Sequence, residues 1–377
     1  MNRQILIAPN AFKHSLGAID VAKTIKYSLM TLDSALSLEL LPIADGGSGT
    51  IDILKFSFPS SKFINVKAHD PLMREINCNW LLLNETTAVI ELSKVSGIEL
   101  LLKSELNPLW ASTYGTGELI LSALEHGCKK IIISLGGSAT VEGGIGLLEA
   151  IGVKFEDKKG SKVKPGGGFL NSIQKISTAN LDNRLKNCEL HVLCDVNIPL
   201  VGDKGAVHKF AAQKGANEGE KVVLEEGMKH YAKIAKQFTG NGFEFESMTG
   251  SAGGVAYSLK TFLNAKLFSG FLYLSNLISL DEKIKNSDLI VTGEGSLDEQ
   301  SLMGKGVIEL AKIAKKYSKK VIALCGTYDN NINWHQHCIE EVIEIKSENI
   351  SLEESIQNVK ELIPLAIKNN SRMFINY

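Results

Sequence analysis

Short apolar runs alternate with amphipathic stretches in the N-terminal part of the chain. Residues 5–8 read Ile-Leu-Ile-Ala, a run typical of a buried strand, and residues 18–30 repeat apolar side chains on one helical face. Residues 37–43 predict a second strand, and a second helix begins near Thr50. This part of the sequence therefore predicts a strand, loop and helix unit that occurs twice.

The C-terminal part of the chain shows the same alternation. Apolar runs at 289–291, 321–324 and 342–345 predict three more strands, with helical segments between and after them. Together with the two N-terminal strands they are enough for a complete doubly wound parallel sheet. We therefore predict one α/β domain built from both termini, comprising residues 1–70 plus 280–377.

The middle of the chain follows a different pattern. Residues 63–100 contain short strand-like runs without a long helix between them, which predicts antiparallel hairpins. Further strands are predicted at 130–135 and 191–194. We predict a second, mixed α/β domain over residues 71–279, inserted into the first domain, with a ligand site in the cleft between the two domains.

Composition narrows the class of protein further. Of the 377 residues, 44% are hydrophobic and 22% are charged, which is ordinary for a folded protein. The 41 basic and 42 acidic residues nearly balance, so no net charge favours nucleic acid or an anionic membrane as a partner. No stretch reaches the roughly 18 apolar residues of a membrane helix, and six cysteines without a C-x-x-C pair are typical of reduced thiols. We expect a cytoplasmic protein.

Glycine is concentrated in four loops that follow predicted strands. In open α/β sheets, ligands bind at the carboxyl ends of the strands, and glycines there let backbone N–H groups approach an anion. A helix N-terminus adds a favourable dipole, so phosphate is the ligand that these loops predict. Two nearby lysines, Lys13 and Lys214, offer positive charge, although a loop lysine is more often solvated. The loops are 45–50, 136–140, 194–215 and 292–298.

Acidic side chains accompany these glycines. Asp45, Asp195, Glu294 and Asp298 each stand beside turn-forming backbone. Taken singly, each is more typical of a turn residue or a helix cap than of a site. Taken together they suit magnesium and phosphoryl transfer, which needs a cation on the phosphate oxygens and a carboxylate that orients the attacking hydroxyl.

Two known nucleotide-binding fingerprints do not fit the sequence. Residues 299–306 end in Gly-Lys-Gly, but Glu299 and Gly306 stand where a P-loop has Gly and Ser or Thr. Residues 115–120 have Ile120 in place of the third glycine of a dinucleotide fingerprint. The second mismatch disfavours a nicotinamide-dependent dehydrogenase.

Seven motifs in order along nearly the whole chain resemble the glycerate kinase type-1 family. They are IAPNAFKHSL at 7–16, ADGGSGT at 44–50, TYGTGELI at 113–120, SLGGSATVEGGIGLL at 134–148, CDVNIPL at 194–200, QKGA at 213–216 and TGEGSLDEQSLMGKG at 292–306. The sequence departs from the usual family pattern at Asn10 (usually Asp), His14 (usually Gly), Ser48 (usually Glu) and Glu142 (usually Asp). A mechanism that needs an acid at position 10 or 48 is therefore weakened.

The resemblance implies a fold and an activity. It implies a flavodoxin-like doubly wound domain and a second domain similar to a restriction-enzyme core. It also implies an ATP-dependent kinase that uses Mg²⁺ and transfers the γ-phosphate to a hydroxyl of D-glycerate, with 2-phosphoglycerate favoured over 3-phosphoglycerate. A kinase for another small hydroxy acid and a catalytically weak protein that binds glycerate or nucleotide remain alternatives. We expect a monomer or a homodimer.

Residue roles follow from the loops and the resemblance together. Asp195 is the predicted general base, with the capping of a turn as the alternative role. Lys13 is predicted to bind the glycerate carboxylate, and Asp45 the metal or the glycerate hydroxyls. Glu294 and Asp298 are predicted to hold magnesium directly or through its water shell, although the carboxylates can exchange these roles. The predicted nucleotide-binding residues are Gly136, Gly137, Ser138, Thr140, Gly293, Gly295 and Ser296.

Overall fold

Helices and strands alternate along the chain, which the computed structural model describes over residues 3–299, 301–303, 306–346 and 350–375. The strands are β1 (Gln4–Ile7), β2 (Ser37–Leu40), β3 (Lys62–His69), β4 (Glu75–Asn84), β5 (Thr87–Glu91), β6 (Lys130–Ser134), β7 (Lys154–Glu156), β8 (Lys175–Ser177), β9 (Glu189–Cys194), β10 (Lys266–Ser269), β11 (Leu289–Leu297), β12 (Lys320–Tyr328) and β13 (Glu341–Glu344).

The α-helices vary from one turn to six. They are α1 (Ala18–Leu32), α2 (Thr50–Ser57), α3 (Ser93–Ser96), α4 (Tyr114–Glu125), α5 (Ile145–Ala150), α6 (Ala206–Phe210), α7 (Glu218–Thr239), α8 (Ser251–Leu263), α9 (Gly270–Leu277), α10 (Leu280–Lys285), α11 (Gly306–Lys316), α12 (Leu352–Gln357), α13 (Val359–Asn369) and α14 (Arg372–Ile375). Short 3₁₀ segments occur at Ile98–Leu100, Lys103–Glu105, Gly167–Ser172, Asn183–Asn187, Ala212–Lys214, Ser301–Met303 and Trp334–His337. No helix in the described ranges is both long enough and apolar enough to cross a membrane.

The chain divides into two units. Unit 1 comprises Met1–Asp45, Asp52–Ser57 and Phe271–Tyr377, and unit 2 comprises Gly46–Ile51 and Phe58–Gly270. Parallel sheets with helices are present in both. The predicted α/β fold class is confirmed.

Unit 1 contains a five-stranded sheet that is parallel throughout. Its order is β13-β12-β11-β1-β2, and the register pairs Ile5 with Leu289 and Ile7 with Val291. Numbered by their order within the unit, the strands run 2-1-3-4-5, the order of flavodoxin-like sheets. The five apolar runs from which the sheet was predicted all belong to it, because strands covered on both faces read as continuous apolar segments.

The core of unit 1 joins the sheet to helices from both ends of the chain. Val21 and Ile25 of α1 pack with Ile7 of β1 and with Ile363 and Ile367 of α13 in one buried cluster. This cluster explains why residues separated by most of the chain form one folded body: neither terminal region can bury its apolar helix face alone.

Unit 2 contains a six-stranded mixed sheet in the order β10-β9-β6-β5-β4-β3. The pairs β3–β4 and β4–β5 are antiparallel, as expected for the hairpins predicted between residues 63 and 100. The pairs β5–β6, β6–β9 and β9–β10 are parallel. Trp80, Phe155, Tyr231 and Tyr257 are fully buried in the core of this unit.

The long helix α7 begins and ends where its sequence dictates. Asn217 Oδ1 accepts a hydrogen bond from Glu220 N at 3.0 Å, and Glu220 Oε2 accepts one from Asn217 N at 2.8 Å. This reciprocal pair is a capping box. Gly240 ends the helix with φ 78°, a left-handed conformation that favours glycine.

The unit boundaries differ from the predicted ones near 70 and 280. β3 (Lys62–His69) pairs along its whole length with β4 and therefore lies in unit 2 rather than in the N-terminal part of the predicted domain. At the other end, unit 1 resumes at Phe271, so α9 and α10 both belong to it. A strand that begins a hairpin and a strand that ends a βα unit have similar apolar patterns, so these patterns alone do not fix the boundary.

Candidate active site

The loop after β6 and Asp195 start from neighbouring parallel strands of unit 2. Ser134 at the end of β6 pairs with Leu193 of β9, and Leu135 N donates to Leu193 O at 3.1 Å. Asp195 follows β9 directly. The predicted base and the predicted phosphate loop 136–140 therefore share the carboxyl edge of one sheet, where ligands of such sheets bind.

The first two glycines of this loop are needed for packing and for turning. Gly136 N donates to Gly46 O at 3.2 Å, and a Cβ on Gly136 would lie 2.5 Å from Gly47 Cα. Gly137 has φ 79°, which favours glycine, and its carbonyl accepts a hydrogen bond from Ile98 N at 2.9 Å. The first residue of the loop with a side chain that can bind a ligand is therefore Ser138.

A buried lysine reaches into this loop. Lys214 Nζ donates to Ser138 Oγ at 2.7 Å and to Thr140 O at 2.8 Å. Burial lowers the pKa of Lys214 to about 7, and the charge of Asp195 acts in the opposite direction. Thr140 Oγ1 is also buried and has no hydrogen-bond partner in the described part of the chain. A cation and an unused hydroxyl on one loop suit an anionic ligand such as phosphate.

Glu91, at the end of β5, is a buried carboxylate that the sequence analysis missed. It accepts hydrogen bonds from Gly49 N at 3.0 Å and Ile51 N at 3.2 Å, at the N-terminus of α2, and from Ser93 Oγ at 2.8 Å. Burial raises the pKa of Glu91, and these hydrogen bonds oppose that shift. The prediction that the 45–50 loop offers its amides to phosphate is therefore wrong for Gly49, because the amide of Gly49, like that of Ile51 just after the loop, donates to Glu91. The sequence signal for Glu91 was a single acidic residue at the end of an apolar run.

Glu142 is a second buried carboxylate, at a position where the family that the sequence resembles usually has Asp. Its side chain accepts hydrogen bonds from Thr113 N at 2.8 Å, Gly146 N at 3.0 Å and Gly166 N at 3.3 Å. Burial raises the pKa of Glu142 to about 7, and the hydrogen bonds from Thr113 lower it. Glu142 thus ties three separate segments to the end of the glycine-rich loop.

A fifth glycine cluster, residues 249–254, also packs on the loop and was not predicted. Ala252, Gly253 and Gly254 have φ values of 52°, 63° and 96°. A Cβ on Gly253 would lie 2.1 Å from Thr140 O. A left-handed Ala is strained by about 1–2 kcal/mol, and such strain is concentrated at functional sites. The sequence signal was Gly-Ser-Ala-Gly-Gly, which does not follow a predicted strand.

In unit 1, the segment after β1 packs on β11. Asn10 N donates to Gly293 O at 2.8 Å, and a Cβ on Gly295 would lie 3.3 Å from Lys13 N. Lys13 is exposed. His14 has φ 64°, a left-handed conformation, which accounts for the Gly that the resembled family usually has there.

Asp45 lies after a segment that extends the carboxyl edge of the same sheet. Leu41 N donates to Ile7 O at 2.9 Å, and Ile43 N donates to Pro9 O at 3.0 Å. The chain therefore continues alongside β1 beyond the end of β2. This extension brings half-buried Asp45 to the edge of unit 1 that carries the predicted residues of β11.

The predicted loop at 292–298 is wrong as far as Leu297. β11 continues to Leu297 and pairs with β12, including Gly293 with Leu324 and Ser296 with Thr327. A Cβ on Gly293 would lie 2.1 Å from Leu324 O. Glycine is needed at 293 because two strands approach closely there, a reason that a glycine cluster alone does not reveal.

The two predicted metal ligands share one serine. Ser301 Oγ donates to Glu294 Oε1 at 2.7 Å, and Ser301 N donates to Asp298 Oδ1 at 3.2 Å. Ser296 Oγ lies 3.4 Å from Asp298 Oδ2. No group of three or more His, Cys, Asp or Glu side chains among the described residues is arranged to hold a metal. Two carboxylates still fit Mg²⁺, which commonly takes one or two from the protein and completes its shell with water and phosphate oxygens.

The predicted site residues thus form two sets, each at the carboxyl edge of its own sheet. Unit 2 holds Gly136, Gly137, Ser138, Thr140 and Asp195. Unit 1 holds Lys13, Asp45, Gly293, Glu294, Gly295, Ser296 and Asp298.

Comparison with known proteins gives a consistent result. The sequence model of the Glycerate kinase family matches residues 5–375. The chain is 38% identical over 368 residues to "Glycerate 2-kinase" of Escherichia coli K12, covering 97% of this chain and 96% of that protein. It is 36% identical over 360 residues to "Glycerate kinase" of Bacillus subtilis 168, covering 95% of this chain and 94% of that protein.

A solved structure agrees with these relatives. The crystal structure assigned to glycerate kinase 2 of Salmonella typhimurium LT2 matches with a TM-score of 0.82 and 31% identity, covering 100% of both chains. The similarity therefore extends over both units and all seven sequence motifs. The chain belongs to the glycerate kinase family.

Proposed function

We propose that the protein transfers the γ-phosphate of ATP to a hydroxyl of D-glycerate in a Mg²⁺-dependent reaction, with 2-phosphoglycerate as the favoured product. Family membership supports the reaction class, and the name of the Escherichia coli relative supports the 2-hydroxyl. The observation that carries the proposal is the loop 136–140, whose buried hydroxyl of Thr140 has no partner in the described chain, one strand away from Asp195.

The loop 136–140 binds phosphate oxygens in this proposal. Gly136 and Gly137 set the path of the loop, and Ser138 and Thr140 supply hydroxyl donors. Hydrogen bonds to a charged acceptor are stronger than neutral ones, so donors fixed on a rigid loop stabilise the charge that spreads over the transferred group.

Asp195 accepts the proton of the attacking hydroxyl. It directly follows β9, so the rigid end of a central strand holds its backbone. Fixed placement is what a general base requires, since the proton must lie within hydrogen-bond distance of the carboxylate when the hydroxyl attacks. The proton leaves the substrate oxygen for Asp195 as the new oxygen–phosphorus bond forms, while the bond between the γ-phosphorus and the bridging oxygen breaks and ADP leaves.

Residues of unit 1 hold the metal and the acid substrate. Glu294 and Asp298 hold Mg²⁺, which when bound neutralises charge on the phosphate oxygens. Exposed Lys13 pairs with the glycerate carboxylate, and Asp45 orients a glycerate hydroxyl or adds a metal ligand. The nucleotide side of this set is formed by Gly293, Gly295 and Ser296.

A coupled assay of ADP release tests the reaction. The protein is incubated with ATP, Mg²⁺ and a panel of small hydroxy acids, and we expect turnover that depends on both Mg²⁺ and D-glycerate. Preferred turnover of a different hydroxy acid would replace the substrate while keeping the reaction class. Tight glycerate binding without turnover of any acid would show a binding protein and refute the kinase.

The product distinguishes the two positions of phosphorylation. ¹H–³¹P correlation NMR of the reaction mixture should show phosphorus coupled to the methine proton of C2. Coupling to the C3 methylene protons would instead establish 3-phosphoglycerate and refute the proposed position.

A further inference from the structure

Lys214 is a buried cation whose direct hydrogen-bond acceptors are uncharged. Its side chain is 3% exposed, and Nζ donates to the hydroxyl of Ser138 at 2.7 Å and the carbonyl of Thr140 at 2.8 Å. An ammonium has three N–H donors, so two of them are used within the described chain. One donor remains for a ligand of the loop.

The backbone around Lys214 fixes where this ammonium lies. The residue closes the 3₁₀ segment Ala212–Lys214, and Gly215 follows with φ 100°. A Cβ on Gly215 would lie 2.3 Å from Leu106 O, so the chain turns tightly there against a neighbouring segment. The lysine therefore enters the loop from a rigid turn.

Two other features of the loop around Lys214 suit an anionic ligand. Thr140 Oγ1 is buried without a partner in the described ranges. Burying a charge without an opposite charge at hydrogen-bond distance is costly. Burial accordingly lowers the pKa of Lys214 to about 7, against the opposing effect of Asp195, the charged group that acts on it.

We propose that Lys214 supplies the positive charge of the phosphate-binding loop, donating its third N–H to a phosphate oxygen, and that it takes up a proton as the phosphate-bearing ligand binds. This inference rests on the proposed function, because it takes the loop to be the place where nucleotide phosphates bind. It adds the group that neutralises them and a proton that accompanies binding.

The direction of the pH effect follows from linkage. Below about pH 7 the ammonium is already charged in the free protein, so binding needs no proton and affinity is constant with pH. Above that pH most of the free protein carries the neutral amine, and an anion beside it raises the pKa in the complex. Binding then takes up a proton, and affinity falls by up to about tenfold per pH unit until the pKa of the complex is reached.

Calorimetry with ATP and Mg²⁺ tests the inference in the full-length protein. Titrations in two buffers of different ionisation enthalpy give the number of protons taken up. At pH about 8 we expect close to one proton for the wild type. Lys214→Met should abolish the uptake and weaken binding about 10- to 100-fold. Lys214→Arg, which is charged at every accessible pH, should bind without uptake and without the pH dependence.

The matched control is Lys209→Met on α6, an exposed lysine close in sequence. Its proton uptake and affinity should equal those of the wild type. Protonation changes of the nucleotide itself are common to all variants and cancel in the difference between the wild type and Lys214→Met. Circular dichroism and Tm establish that each variant is folded.

The results that contradict the role of Lys214 differ from the result that contradicts the proposed function. Wild-type protein that binds ATP without proton uptake, or Lys214→Met that retains both uptake and affinity, refutes the role of Lys214 and leaves the kinase intact. Wild-type protein that binds no ATP refutes the proposed function and the inference with it. Absence of proton uptake in the wild type would refute the proposed protonation by itself, whether or not the variants fold.

Discussion

The glycine-rich segments of the two units resemble each other in sequence and differ in structure. In unit 2, residues 136–140 follow β6 as a loop that accepts two hydrogen bonds from buried Lys214, and Thr140 Oγ1 has no partner among the described residues. In unit 1, residues 293–297 stay inside β11, which pairs with β12, and the two acids Glu294 and Asp298 lie near the end of this strand. In both units glycine lets two backbone segments pack closely. Gly136 packs on another loop of unit 2, and Gly293 packs on the paired strand β12 of unit 1.

This difference gives the two segments different binding chemistry. The unit 2 loop provides fixed donors and a cation, which stabilise anions. The strand of unit 1 provides carboxylates, which stabilise a metal ion rather than a phosphate. Variants in the two units should therefore fail in different assays.

The largest expected effect is on catalysis by unit 2. Asp195→Asn should lower kcat by about 100- to 10,000-fold, because an amide cannot accept the proton of the hydroxyl. The measurement is kcat in the coupled assay at saturating ATP and D-glycerate, with Tm as a check on folding. Asp203→Asn, which changes an exposed acid in the same connection, is the control and should retain wild-type kcat. Near-wild-type turnover of Asp195→Asn would assign the base to Asp45 or Glu294.

Paired glycine substitutions come next. Gly253→Ala and Gly293→Ala should each lower the free energy of unfolding by about 2–4 kcal/mol, because each new Cβ would lie 2.1 Å from a carbonyl oxygen. Gly253→Ala should in addition weaken ATP binding, since the oxygen belongs to Thr140, whereas Gly293→Ala should weaken it less, because the oxygen that its Cβ meets belongs to Leu324 of β12. Thermal unfolding and calorimetry measure the two effects. Gly17→Ala is the control, because a Cβ there meets nothing within 4 Å. Equal ATP affinity of both destabilised variants would remove the distinction between the loops.

The smallest expected effect is on the metal requirement in unit 1. Glu294→Gln and Asp298→Asn should each raise the Mg²⁺ concentration for half-maximal activity by about tenfold, because each removes a charged oxygen. Removal of Mg²⁺ by chelation should stop turnover in the wild type. Glu299→Gln, at an exposed neighbour, should need no more Mg²⁺ than the wild type. An unchanged Mg²⁺ requirement in the first two variants would place the metal elsewhere.

Apolar periodicity was enough to predict the sheet of unit 1, and not enough for its boundaries. The runs at residues 5–8, 289–291 and 321–324 predict strands because a strand buried on both faces has no room for polar residues. They underestimate β11 and β12, which continue through glycine and polar residues to Leu297 and Tyr328. Backbone pairing sustains these extensions, and side-chain patterns do not record it.

The candidate site divides in the same way. The positions of loop 136–140 and Asp195 after strands were predictable, because strand ends and glycine clusters are visible in a sequence. The burial of Glu91 and Lys214 was not predicted, because segments distant in the chain decide whether a charged side chain is buried. The left-handed turn at Ala252 and Gly253 brings Gly253 close to Thr140 O, a contact between distant segments that no local pattern records.

Glu91 acts on α2 as a tethered anion. Its carboxylate is held at the amides of Gly49 and Ile51 by the chain itself, so its effective concentration there does not change with the phosphate or nucleotide content of the solution. The N-terminus of α2 is the kind of site that binds free phosphate in other proteins. In this protein it binds a carboxylate of its own chain. We expect any response to the ligand level to lie in the loop that follows β6.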